Sequence, residues 1–173
     1  MKPLPEKKAL ETLDEIRKDL RSRVSAFESR AKDCGTCETK GECCTDGHFV
    51  NVHVTMLEAR SILLALDHLP PDLRQAVIER NRPEAEKMMD ATESVEFSTT
   101  YSCPLFEPAV GCLVHYTAKP LPCIHHACYD DPKDLPPDEL LENAENEVSR
   151  LNSRVYGNAW NWQPIPLWLA GSE

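Results

Sequence analysis

The sequence predicts an α+β fold, mostly α-helical, in a single domain with short strands and two cysteine-bearing loops converging on a metal site. Three observations predict it. Apolar residues recur at steps of three and four over long stretches, which is helical spacing. Only brief runs alternate as strands do. The eight cysteines fall in two blocks of four: Cys34, Cys37, Cys43 and Cys44, then Cys103, Cys112, Cys123 and Cys128. A length of 173 residues suits one domain, because length predicts about one unit per ~150 residues. Within it, residues 1–33 read as an N-terminal amphipathic helix, 34–131 as a cysteine-cluster body, and 132–173 as a C-terminal helix with a Trp-rich tail.

Leu10, Leu13, Ile16, Leu20, Val24, Phe27 and Ala31 carry the first helix, from about Glu6 to Ala31. Arg17 interrupts its heptad seam, so packing onto the protein's own core is favoured over a coiled coil. After a loop from Cys34 to Gly47, Phe49 to Val54 predict a short strand, rich in β-branched residues. Thr55 with Glu58 three positions on forms a capping box, opening a helix through Ala59, Ile62, Leu63 and Leu66 that ends near His68. The next helix begins around Asp72 with Pro71 in its first turn. Pro83 is expected to break or kink it, leaving a further helical piece over 84–91. Val95, Phe97 and Thr99 predict a second strand, paired with the first.

From Tyr101 to Asp131 the prolines Pro104, Pro108, Pro120 and Pro122 predict loop, with one short strand over 112–116. Pro136 and Pro137 then lead into a helix whose apolar face is Leu140, Leu141, Ala144, Val148, Leu151 and Val155, with Gly157 as its cap. Trp160, Trp162 and Trp168 mark the tail, which is expected to fold back over the core, since buried aromatics contribute large areas.

Nineteen basic against 29 acidic residues give a net charge of −10, a sign that argues against nucleic acid as a partner. No apolar stretch approaches the ~18 residues of a membrane span, so no membrane partner is expected. The first ten residues, MKPLPEKKAL, hold no apolar h-region, and the protein is expected to be cytoplasmic. Thiols are kept reduced there, so clustered cysteines read as metal ligands or reactive groups before disulfides. Thiolates are soft donors that select zinc or iron–sulfur clusters, both commonly with four ligands. Cys34 and Cys37 are spaced to reach one ion. A thioredoxin-like redox pair would instead sit at a helix N-terminus, whereas this pair follows a helix.

His125 and His126, between Cys123 and Cys128, are further candidate ligands, or donors to cluster sulfurs. His115 reads as a packed or hydrogen-bonded residue, His48 and His53 flank the first strand, and His68 ends a helix, where the dipole favours a cationic ring. The acidic pairs Asp130–Asp131 and Asp138–Glu139 read as helix-start charges. No Ser-His-Asp order, H-E-x-x-H helix, phosphate loop or G-x-G-x-x-G is present.

The first block, followed by Cys103-Pro104-Leu105-Phe106, by Gly111-Cys112-Leu113-Val114-His115-Tyr116, by Lys119-Pro120 and by Cys123 to Cys128, resembles the YkgJ-like cysteine-cluster (CxxCxxCC) family of zinc- or iron-chelating proteins. The likeness covers about Cys34 to Cys128. It differs in a longer loop between Cys37 and Cys43, in Lys119 where the family has arginine, and in Ile124 where it has a second arginine. The resemblance implies metal chelation. Through a methylase relative with an iron–sulfur centre, it also makes cluster-dependent modification of a protein or small molecule conceivable. The unequal spacings of the second block favour an iron–sulfur cluster, such as 4Fe-4S, over zinc. The alternative is a structural zinc domain that acts as a protein-interaction module. Whether the chain is an enzyme is left open by its residues.

Overall fold

The apolar stripe of the first segment folds as α1 (Glu6–Glu28) and buries Ala9, Leu13, Ile16, Leu20 and Val24. The computed structural model describes residues 3–31, 41–45, 50–90, 99–108, 110–129, 131–157 and 162–171. Helix α1 stops at Glu28, short of the expected Ala31, because Ala31 leaves the helix to form an isolated antiparallel bridge with Tyr129. Residues 50–52 are in no strand, and β1 is only His53–Val54. Among the described residues its partner is a segment of the tail. Val95 and Phe97 lie outside the described residues, Thr99 is in no strand, and β1 pairs antiparallel with β4 (Gln163–Pro164), His53 opposite Pro164. The Val50 carbonyl accepts the Tyr101 N–H at 2.9 Å, and the Val52 carbonyl accepts the Tyr101 hydroxyl at 2.6 Å. One buried tyrosine therefore takes the acceptors that a longer ladder would have used.

Thr55 and Glu58 form the expected capping box at the start of α2 (Met56–Leu66). The following helix, α3 (Pro71–Asp90), is continuous through Pro83, where a break was expected. Interior proline costs ~3 kcal/mol, but Val77, Ala85 and Met88 bury a continuous stripe on both sides of it. Burial of Val77 and of Met88 contributes about 1.5–3 kcal/mol each, which favours keeping the helix continuous.

The stretch read as loop holds more structure than its prolines predict. Strands β2 (Phe106–Glu107) and β3 (Gly111–Cys112) form a hairpin in place of a strand over 112–116. Residues 113–118 are turns, and α4 (Leu121–His125) follows with Pro122 in its first turn, where a missing N–H costs nothing. Helix α5 (Asp138–Tyr156) ends at Gly157, whose φ of +73° suits glycine. Helix α6 (Ile165–Ala170) lies on α2 and α3, and the Trp168 Nε1–H donates to the Val54 carbonyl at 3.0 Å. The described part of the tail therefore covers the core; Trp160 is outside the described residues.

Two apolar clusters result. One joins α2, α3 and α6 to residues 101–118 through Ile62, Val77, Met88, Tyr101, Val114 and Ile165. The other joins α1, α4 and α5 through Leu13, Leu20, Leu121 and Val148, with Leu57 of α2. Helix α2 thus contributes to both; Cys103 and Cys112 pack against the first cluster, and Cys123 lies in α4 between Leu121 and Ile124 of the second. Among the described residues, no helix is long and apolar enough to cross a membrane.

Candidate metal centre

Gly41, at φ +88°, turns the chain into a 3₁₀ turn, Glu42–Cys44, that presents Cys43 and Cys44. The turn is tied to the second block by the main chain, since the Cys103 N–H donates to the Cys44 carbonyl at 2.8 Å. The Phe106 ring lies directly against Gly41. Cys112 ends β3, and Cys123 is the middle residue of α4.

These elements bring five of the eight predicted cysteines together. Cys44 lies within electrostatic reach of Cys43, Cys103 and Cys123; Cys112 of Cys43; and Cys103 and Cys123 of each other and of Cys112. Both adjacent cysteines of the first block are involved, and their side chains are hydrogen-bonded to one another. No disulfide joins the six described cysteines.

Burial holds these sulfurs as thiols. It pushes Cys103 up to about 12 and raises Cys123 and Cys112, the neighbouring sulfurs adding to the effect. Cys44 is raised first by its hydrogen bond with Cys43 and then by burial. Opposing groups favour the thiolate. Main-chain N–H groups of Leu105 and Phe106 point at Cys103, and that of Val114 at Cys112. Arg80 acts on Cys103, while Lys119 acts on Cys112 and Cys123 and Arg21 on Cys112. Backbone donors and cations aimed at buried sulfur are the surroundings that tune a thiolate–metal centre. In their absence a charged thiol would be very costly to bury.

The donor set therefore suits a soft metal, although among the described residues no three His, Cys, Asp or Glu side chains stand in an arrangement that could hold a metal ion. Cys34 and Cys37 lie outside the described residues. Cys128 is half-buried beside Tyr129, the partner of Ala31, so the segment leading to the first block runs next to the end of the second. His125 engages the Pro137 carbonyl through Nε2 at 3.2 Å, and His126 is half-buried at the end of α4. His115 packs edge-on to Tyr116, and His53 engages the Asn51 carbonyl. His48 and Asp130 are outside the described residues.

Sequence reasoning missed three residues around the thiols. Glu58, read only as a cap, is fully buried and also accepts the Leu121 N–H of α4 at 3.3 Å. Arg17, read as a flaw in a seam, is buried between α1 and α2. Arg21 donates to the His115 carbonyl. Burial raises the Glu58 carboxyl and lowers the Arg17 guanidinium, and the opposite charge of each partly offsets the shift of the other. The signal available in the sequence was Arg17 itself, a charge on the otherwise apolar face of α1, with Arg21 one turn on. A groove of about 420 Å³ runs between α1 and α5, beside Glu15, Asp19 and Glu147, and contains none of the cysteines. No protein-family model matches the chain, and no curated protein or solved structure is similar to it.

Proposed function

We propose that the chain is a metal-binding protein whose clustered cysteines hold an iron–sulfur cluster in preference to zinc. The observation that carries this reading is the gathering of Cys43, Cys44, Cys103, Cys112 and Cys123 from both blocks. They form a half-buried group without disulfides, faced by backbone N–H donors and by Arg21, Arg80 and Lys119. Such a group is unstable as bare thiolates and stable around a cation. The remaining ligands in this reading come from Cys34, Cys37 and Cys128, with His125 and His126 as donors to the centre or its surroundings. The resemblance to the YkgJ-like family supports the same chemistry. The centre would act in a reducing compartment such as the cytoplasm, on another protein or a small molecule.

The test is anaerobic purification followed by metal and acid-labile sulfide analysis and visible spectroscopy. Iron with matching sulfide, and an absorbance that bleaches reversibly on reduction, is the expected result. Zinc without sulfide overturns the cluster version in favour of a structural zinc module. Protein that takes up neither metal after reconstitution overturns the whole reading. Cys103→Ser and Cys123→Ser are each expected to lower the metal content.

A further inference from the structure

The connection between Cys112 and Cys123 runs through turns and a five-residue helix, so its own secondary structure fixes it weakly. Three charged side chains from elsewhere hold its main chain at regular intervals. Arg21 of α1 donates to the carbonyl of His115. Arg17 of α1 reaches the carbonyl of Ala118 at 3.5 Å while its other nitrogen donates to Ser61 Oγ of α2 at 2.7 Å. Glu58 of α2 accepts the N–H of Leu121 through Oε1, and Thr55 N–H and hydroxyl through Oε2, both at 3.2 Å. Charged groups bonded to main chain make hydrogen bonds about twice as strong as neutral ones. Arg17 and Glu58 are almost wholly removed from water, so losing a partner there leaves an uncompensated charge. None of the three is a sulfur or imidazole ligand, and each acts on the chain between two of the gathered cysteines.

We propose that Arg17, Arg21 and Glu58 are positioning residues of the candidate metal centre: they clamp the Cys112–Cys123 connection at residues 115, 118 and 121, so that both sulfurs are placed before the metal arrives. The proposal rests on the metal-binding reading of the thiols. It assigns α1 and α2 a part in the centre that no cysteine position reveals. Pre-organised ligands lose less conformational freedom on binding, and residues that orient ligands contribute about 10–100-fold in metal affinity.

Two measurements on the full chain test it, with Arg21→Ala, Arg21→Lys and Glu58→Gln. The first is the rate of iodoacetamide alkylation at each cysteine of the reduced, metal-free protein, resolved by peptide mass spectrometry. The second is retention of cobalt(II), read from its thiolate absorption, against a competing chelator. Arg21→Ala is expected to speed alkylation of Cys123 severalfold and leave Cys44 unchanged; Cys112, which also loses a cation that favours its thiolate, is compared through Arg21→Lys, which keeps the charge. Arg21→Ala should weaken cobalt retention about 10-fold or more and keep the helical circular dichroism, with Arg21→Lys recovering much of both. If Arg21→Ala loses its helical signal, Glu58→Gln, which keeps the side chain's shape, decides on the same two readouts. Wild-type protein that holds cobalt alongside variants that match it in both measurements overturns this proposal alone. Wild-type protein that holds no cobalt overturns the metal reading and the proposal with it.

Discussion

Gly41 carries two constraints at once: its φ of +88° lies in the left-handed region, and a Cβ there would overlap the Phe106 ring. Gly41→Ala should therefore destabilise the fold by more than ~1 kcal/mol, the left-handed penalty alone, and displace the turn bearing Cys43 and Cys44. A lowered Tm together with faster alkylation of Cys44 checks it. Glu145, half-buried on α5, is pushed up to about 7 by burial, with the charges of Glu58 and Glu142 adding to the effect. A carboxyl raised in the folded state favours folding fully below its ordinary 4.5, and that contribution is lost as pH rises through about 7. Glu145→Gln is expected to raise Tm at pH 8 and leave it nearly unchanged at pH 4.5, as a pH series of melting curves would show. At this level the cysteines were legible because soft donors in two blocks are chemically distinctive. Arg17, Arg21 and Glu58 were not, because a charge that bonds main chain 63 to 101 residues away leaves no local pattern.

The long helices were legible and the strand pairings were not, for one physical reason. Helix α5 and the body of α1 are specified by apolar residues three and four apart within a single segment. The pairing of β1 with β4 depends instead on residues more than a hundred positions apart. Pro83 misled because the local cost of proline was weighed without the stripe of Val77, Ala85 and Met88 that keeps α3 in line. Pro120 and Pro122 misled in the opposite way, since proline is tolerated at the start of a helix such as α4. The short tail helix α6 depends on Trp168. Trp168→Phe keeps most of the apolar area but leaves the Val54 carbonyl without the indole donor. It should cost about 1–3 kcal/mol, read as a shifted denaturation midpoint with an unchanged slope.

The two apolar clusters share α2; Cys103 and Cys112 pack against the first, and Cys123 sits in α4 between Leu121 and Ile124 of the second. A metal held there would stiffen both at once, because binding free energy at such a centre is also folding free energy. Stripping metal-loaded protein with a chelator is expected to lower Tm and to raise amide exchange over 41–45 and 103–123 together. Exchange confined to one of these segments would contradict a shared centre. The meeting of the two clusters could not be read from the sequence, since each draws its residues from segments far apart in the chain. The antiparallel pairing of Val54 with Gln163, and the place of Ile165 and Leu169 in the first cluster, carry a further consequence for the order of events during synthesis. Translation delivers α2 and α3 long before the segment that closes over them, so the nascent chain exposes Val54, Ile62 and Val77 until residues 163–169 have emerged. Until then the face of α2 and α3 that α6 covers in the folded chain lacks that cover.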